Sequence, residues 1–308
     1  MMKISIIGTG MVGSVCAYRL MISGLATEIA LIDINQARAQ GESLDIWHAA
    51  VCEYANNIYA TDMAWSHDSD IVVITAGYPR RNEETRLELV NKNRDILKDM
   101  IPQVHTYSPN AIYIVVSNPV DIMTYATIKY GNINPKRVIG SWTTLDTVRF
   151  QYTLGKYFGI NPIDIKGFVV WEHGNSQVAL YSSCMINDIK IDDFAKQKGI
   201  VFDENIKQQL AEKTKKISAE IIEKKTATSF GIASVVLGIV KSIVQDEKKI
   251  FSVSSLVDFK DWMSTCIGLP SILGKHWIEE VIHIPMDEKE QEQFEESKKN
   301  LYEYTKNM

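Results

Sequence analysis

Apolar residues in the first 140 positions fall into short runs separated by longer amphipathic stretches. "KISII" (3–7) reads as a short buried strand, followed by a helix over 11–23. "EIALID" (28–33) reads as a second strand, followed by a helix over 36–50. A third run, "DIVVITAG" (70–77), leads to a long helix over about 85–107. "AIYIVVS" (111–117), a helix from about 119 and "KRVIGS" (136–141) complete this half. Alternation of apolar runs with amphipathic helices predicts a parallel sheet covered on both faces, a doubly wound α/β domain.

Beyond position 141 the texture changes. Residues 143–159 read as a helix, and 163–186 as two adjacent strands with "VVWEHGNSQV" between them. Residues 203–245 are mostly helical in pattern, and 250–284 look like antiparallel strands. The tail, "DEKEQEQFEESKKNLYEYTKN", reads as a helix with a solvated charged face, acids early and lysines late, as the helix dipole favours. The expected division is 1–141 as a Rossmann-type domain and 142–308 as an α+β catalytic domain.

Composition narrows the functional classes. The chain has 308 residues, 45% hydrophobic and 23% charged, with a net charge of −5. That balance gives no basis for binding nucleic acid or an anionic membrane surface. Cys16, Cys52, Cys184 and Cys266 are scattered without CxxC spacing, which suits reduced thiols in a cytoplasmic protein and no metal site. No run reaches the roughly 20 apolar residues of a membrane span, and the N-terminus opens into a strand and glycine loop rather than a signal peptide.

The first candidate chemistry lies in "IIGTGMVG". Gly8, Gly10 and Gly13 have GxGxxG spacing after a strand and at the opening of a helix. Gly8 would allow the tight turn, Gly10 the approach of a pyrophosphate, and Gly13 close packing of helix on sheet. Asp33, 20 residues after Gly13, would accept hydrogen bonds from a ribose diol and repel a 2′-phosphate, which points to NAD rather than NADP. A glycine-rich turn without a ligand is the plain structural alternative.

The second candidate is spread over two segments. Asp146 and Arg149 in "TTLDTVRF" share a helix face, where an intrahelical ion pair would suffice as explanation. His173, taken singly, would be a packed or surface histidine. Together they match what a nicotinamide enzyme needs. Histidine titrates near working pH and can serve as acid and base. A carboxylate can fix its tautomer, and a guanidinium can grip a carboxylate through two parallel hydrogen bonds.

With these residues in view, the chain resembles the L-lactate/malate dehydrogenase family. The carrying motifs are "IIGTGMVG", "LID", "ITAG", "ETRLELVNKN", "VSNPVD", "LDTVRF", "EHGNS" and "TSFGIA", in family order from residue 4 to about 233. The resemblance implies an NAD-dependent L-2-hydroxyacid dehydrogenase. His173 would exchange the proton, Asp146 would orient it, and Arg149 would clamp the substrate carboxylate. Arg86 would polarise the reacting carbonyl, and Asn118 would bind near nicotinamide and substrate oxygen. Thr228 would line the substrate pocket, with Ile232 beside the nicotinamide. Met11 and Val12 in the glycine loop, with Thr75, Ala76 and Gly77 of "ITAG", would complete the cofactor site. The loop "YPRRNEET" would close as a lid, Glu172 would be structural, and Gly174 would permit a sharp turn. The family implies a homodimer or homotetramer.

Several positions depart from the family pattern. Trp171 stands where a glycine usually precedes the Glu-His pair, and Trp142 where a small residue usually lies four positions before the orienting acid. Two readings are open: a reshaped pocket wall or stacking surface, or two rings packed outward into core or a subunit contact. Arg80 falls where lactate enzymes carry glutamine and malate enzymes carry arginine. A guanidinium closed over an apolar side chain would be unpaired, at a cost of several kcal/mol, so Arg80 favours oxaloacetate, whereas the rest of the chain leans toward pyruvate or a larger 2-oxo monocarboxylate. Gln151 and Lys166 replace an arginine and a histidine that bind fructose bisphosphate in regulated members, which implies weak or absent activation. Two further alternatives are a catalytically silent NAD-binding sensor or assembly subunit, and an NAD-dependent glycosidase, which the lack of a metal-binding cluster disfavours.

Overall fold

A computed structural model describes residues 2–53, 57–78, 85–174, 176–259, 264–306 and 308; Arg80 and the Arg86 side chain lie outside the described residues. The strands of the first half are β1 (Lys3–Ile7), β2 (Glu28–Ile32), β3 (Asn57–Thr61), β4 (Ile71–Ile74), β5 (Ile112–Val115) and β6 (Val138–Gly140). Between them run helices α1 (Met11–Ile22), α2 (Gln36–Glu53), α3 (Arg86–Tyr107) and α4 (Val120–Gly131). All six strands are parallel, in the spatial order β3-β2-β1-β4-β5-β6. The order reverses between β1 and β4, so a crevice opens there beyond the carboxyl ends of the strands, where ligands of such sheets bind.

The sequence pattern explains these strands. Ile71–Ile74 and Ile112–Val115 are buried throughout, as expected for strands covered by helices on both faces. α3 begins where Thr85 and Glu88 form a capping box, with the Glu88 amide donating to Thr85 Oγ1 at 3.2 Å and the Thr85 amide to Glu88 Oε2 at 2.9 Å. That box places Arg86 at the first helical position.

The second half contains α5 (Trp142–Phe158), β7 (Ile165–Lys166), β8 (Val169–Val170), β9 (Val178–Ala179), β10 (Met185–Ile186) and β11 (Ile189–Lys190). It continues through α6 (Ile191–Lys198), α7 (Glu204–Lys225), α8 (Phe230–Val244), β12 (Lys249–Asp258), β13 (Ser264–Gly274), β14 (Trp277–Val281) and α9 (Glu288–Thr305). β12, β13 and β14 are antiparallel and extend the parallel sheet past β6, making nine strands. The join is narrow. Gly140 faces Ser254, and a Cβ on Gly140 would lie 2.6 Å from that of Ser254.

Three elements have no counterpart in the sequence pattern, β3, β11 and α6. β3 is a partly exposed edge strand, β11 has two residues, and α6, although amphipathic with Ile191 and Ala195 buried one turn apart, has only eight, too few for a periodic run to stand out. The α9 helix also corrects an expectation. Its acids do open the helix, behind an Asp287–Glu290 capping box, but its last turn holds no basic residue. Nor is its charged face simply solvated: Glu290 and Lys298 are buried, and Glu290 accepts hydrogen bonds from the Ser182 amide and hydroxyl. Among the described residues no helix is long and apolar enough to cross a membrane. All four cysteines are free, and burial pushes the Cys16 and Cys184 thiols up to about 12.

Candidate active site

The glycine loop leaves β1 at the switch point. Gly8 has φ +95°, and a Cβ there would come within 2.6 Å of the Ala76 nitrogen. A Cβ on Gly13 would sit 1.9 Å from the Gly8 carbonyl oxygen. These two glycines are thus required by the packing of α1 and of the Thr75–Ala76 turn onto the loop. Thr75 Oγ1 closes the same junction by donating to Gly8 O at 2.5 Å. Gly10 differs: nothing lies within 4 Å of its virtual Cβ. It caps α1 with no side-chain hydrogen bond, so the first-turn amides, Met11 and Val12 among them, have no side-chain acceptor at the cap. An uncapped helix N-terminus beside an open cradle fits a pyrophosphate.

Asp33 follows β2 at the same edge. Its Oδ2 accepts from the Thr9 amide at 2.6 Å and the Thr9 hydroxyl at 3.0 Å, and Oδ1 accepts from the Asn35 amide at 2.9 Å. Partial burial alone would raise its pKa, but the amides of Asn35 and Thr9 outweigh that and hold the carboxyl below its ordinary value. It is therefore a carboxylate at neutral pH, as a diol acceptor must be. Gly77 follows the same turn at φ +157°, beside the Asn93 side chain.

Across the crevice, α5 carries two charged groups on one face. Asp146 Oδ1 accepts from Arg149 Nη1 at 2.9 Å, and Oδ2 lies 2.6 Å from His173 Nδ1. The ion pair and the histidine contact therefore coexist on one buried carboxylate. His173 reaches it from the turn between β8 and β9, which pair as Val169↔Ala179 and Val170↔Val178. Gly174, at φ +156°, completes the turn. Glu172 points away: its amide donates to Ser297 on α9 at 3.2 Å, and its carboxylate accepts from the Ser176 hydroxyl.

The two halves meet at His173. Its backbone amide donates to Asp121 Oδ2 at 2.8 Å. Asp121 belongs to the "SNPVD" turn that also holds Asn118, so this bond docks the histidine turn onto the end of β5. Asn93 holds the other side of that turn, donating to the Asn118 carbonyl at 2.7 Å and accepting from the Tyr78 amide at 2.8 Å. Neither Asp121 nor Asn93 stood out in sequence as a single residue, although both lie inside motifs that did. Thr228 precedes α8, which packs on α1 and on α5; Ile232, in its first turn, is fully buried. Gly231 lets α8 approach Leu145, beside Asp146.

The two tryptophans divide between the open readings. Trp142 stacks on His173, with ring centroids 5.0 Å apart and planes 20° apart, and its Nε1 donates to Val116 O at 2.6 Å. Trp171 turns away into the core against Phe294, 4.2 Å between centroids. Its φ is +77°, a conformation that favours glycine. Its amide and carbonyl both bond to Gly268, which fixes that backbone.

Arg149 Nη2, Asn118 Oδ1 and Thr228 Oγ1 are buried without a hydrogen-bond partner among the described residues. Folded proteins leave few such atoms. Of twelve such side-chain atoms among the described residues, these three, a donor, an acceptor and a hydroxyl, fall on residues of one sequence-derived site, where a small polar ligand would satisfy them.

Comparison with known proteins agrees with this geometry. Residues 2–140 match the family of the lactate/malate dehydrogenase NAD-binding domain, and residues 143–308 match the lactate/malate dehydrogenase alpha/beta C-terminal domain. The chain is 41% identical to an L-lactate dehydrogenase of Clostridium botulinum (strain 657 / Type Ba4), covering 97% of this chain and 94% of that protein. It is 39% identical to L-lactate dehydrogenase 1 of Clostridium acetobutylicum, covering 98% and 96%. Among solved structures, the minor L-lactate dehydrogenase from Enterococcus mundtii in its ligand-bound form superposes with a TM-score of 0.92 at 31% identity, covering 100% and 98%. A lactate dehydrogenase from a Medee basin deep-sea metagenome library gives the same TM-score and identity, covering 98% and 97%. A chain matched along nearly its whole length, with a cradle that fits NAD facing a histidine–aspartate–arginine cluster, belongs to the lactate/malate dehydrogenase family and is an NAD-dependent dehydrogenase.

Proposed function

We propose that the enzyme reduces a 2-oxo monocarboxylate, pyruvate or a larger homologue, to the L-2-hydroxy acid, reversibly. The observation that carries a 2-oxo acid is the buried Arg149 Nη2, unpartnered beside Asp146 and His173; the L-lactate dehydrogenases that match nearly the whole chain favour a monocarboxylate. Bound NADH supplies the hydride to the oxo carbon. Arg149 holds the substrate carboxylate. His173, protonated and held by Asp146, gives its proton to the developing alkoxide, and the neutral imidazole then regains one from solvent. Asn118 and Thr228 contact the substrate, and Arg86 polarises its carbonyl. Gly8, Gly10, Met11, Val12, Gly13, Asp33, Thr75, Ala76, Gly77, Asn118 and Ile232 hold the cofactor. The 1–141 and 142–308 halves then serve as cofactor and substrate domains.

NADH oxidation by purified protein with pyruvate, 2-oxoisocaproate, phenylpyruvate and oxaloacetate tests the reading. Monocarboxylate preference supports it. Preference for oxaloacetate, lost in Arg80→Gln, would replace it with a malate enzyme. NADH binding without turnover of any of the four would overturn it in favour of a silent subunit. Homo-oligomerisation, as a dimer or tetramer, is supported by an exposed apolar stripe on α2, Leu44, Trp47 and Val51, at helical spacing. Sedimentation measures it.

A further inference from the structure

We infer that Trp142 is a positioning residue for His173, fixing the plane of the imidazole and favouring its protonated form through the face of the indole. The inference rests on the proposed role of His173 as proton donor.

Trp142 is the first residue of α5 and Asp146 lies one turn later. The two therefore share a helix face, and they take His173 from two directions. Asp146 meets the ring edge at Nδ1, 2.6 Å away, whereas Trp142 covers the ring face at 5.0 Å. The indole is itself fixed. It is 6% exposed, and its N–H is bonded to Val116 O. A ring held along one edge by a single hydrogen bond can still swing about that bond; a second contact across its face removes this freedom.

The electrostatics act in the same direction. The face of an indole is negative, and a cation over it is stabilised. Among the described residues, the charged groups bonded to His173 or to its carboxylate partner are Asp146 on α5, Arg149 reached through Asp146, and Asp121 of α4 at the His173 backbone amide. Glu172 is turned toward Ser176 and Ser297. The amino end of α5 opposes a cation here, so the indole adds to Asp146 against the helix.

The consequence is a displacement of the pH profile. Reduction needs protonated His173 and oxidation needs the neutral ring, so a change in proton affinity moves both limbs together. Loss of the indole face is expected to move both midpoints down by about half a pH unit. Trp142→Leu removes the face and keeps bulk, whereas Trp142→Phe keeps a face. Both lose the bond to Val116, so the difference between them isolates the face. The expected result is a downward shift of both limbs in Trp142→Leu and a profile near wild type in Trp142→Phe. Equal shifts in the two variants, or no shift in Trp142→Leu, would overturn the inference. If Trp142→Leu does not fold, biosynthetic replacement of all six tryptophans by fluorotryptophans preserves shape and weakens the face. The midpoints should then fall with increasing fluorination in wild type but not in Trp142→Phe; the absence of that trend is equally decisive against it. If wild-type enzyme turns over no 2-oxo acid, the functional reading fails separately. Titration of the His173 ring resonance by NMR in cofactor-free variants, assigned by its loss in His173→Gln, still decides the role of Trp142.

Discussion

Asp146→Asn tests the centre of the site. The carboxylate serves two groups at once, buried Arg149 Nη1 at 2.9 Å and partly buried His173 Nδ1 at 2.6 Å, with its own side chain 3% exposed. An asparagine has one carbonyl oxygen, so it can satisfy only one of them. If that oxygen stays with Arg149, the amide –NH2 faces Nδ1, and an imidazolium there meets donor against donor. If it turns to His173, Arg149 loses its carboxylate and meets the –NH2 instead. A charge-assisted hydrogen bond contributes about 1.5–3 kcal/mol, and the equivalent exchange in a serine-protease triad lowers turnover about 10⁴-fold. The expected loss in kcat for 2-oxo-acid reduction is therefore about 10²–10⁴-fold, or roughly 3–5 kcal/mol of transition-state stabilisation. Single-turnover decay of NADH absorbance measures it. NADH affinity should be unchanged, because Asp146 lies across the crevice from the glycine loop, and that titration serves as the control for folding. A kcat within tenfold of wild type, with NADH affinity intact, would refute the assignment of Asp146 as the group that orients His173.

Other expected outcomes follow from particular contacts. Gly10→Val should leave the melting temperature nearly unchanged and abolish NADH binding, because its Cβ enters open space, whereas Gly13→Val should lower both, because its Cβ would meet the Gly8 carbonyl at 1.9 Å; calorimetry with an NADH titration separates the two. Asp33 has a folded-state pKa below its unfolded value, so its contribution to stability is full above about pH 4 and is lost as pH falls through the folded value. The melting-temperature gap between wild type and Asp33→Asn should accordingly close on acidification; a gap that widens would contradict it. Trp171→Gly removes a buried ring, worth about 3–5 kcal/mol, and relieves a positive φ, worth about 1–2 kcal/mol. A net destabilisation of about 1–4 kcal/mol in urea is expected, and a more stable variant would show that strain dominates.

Much of the site is local enough to be legible in the sequence. Glycine spacing, a carboxylate after β2 and the Asp146–Arg149 interval each follow from one element's period or one turn's geometry. The alternating apolar runs likewise determined the six-stranded parallel arrangement except for β3, an edge strand whose exposure erases the pattern. Tertiary structure alone decided the rest. The sequence left Trp142 and Trp171 with the same two readings, yet one stacks on His173 and the other on Phe294. Their destinations depend on backbone direction: Trp142 opens a helix, whereas Trp171 is held at positive φ by Gly268. Asp121 and Asn93, though inside quoted motifs, had no role legible in them for a similar reason, since their partners lie 52 and 25 residues away in the chain. Period and spacing report what one segment does with itself. Which segments meet, and which buried polar atoms are left for a ligand, is settled only when the sheet brings distant turns to one crevice.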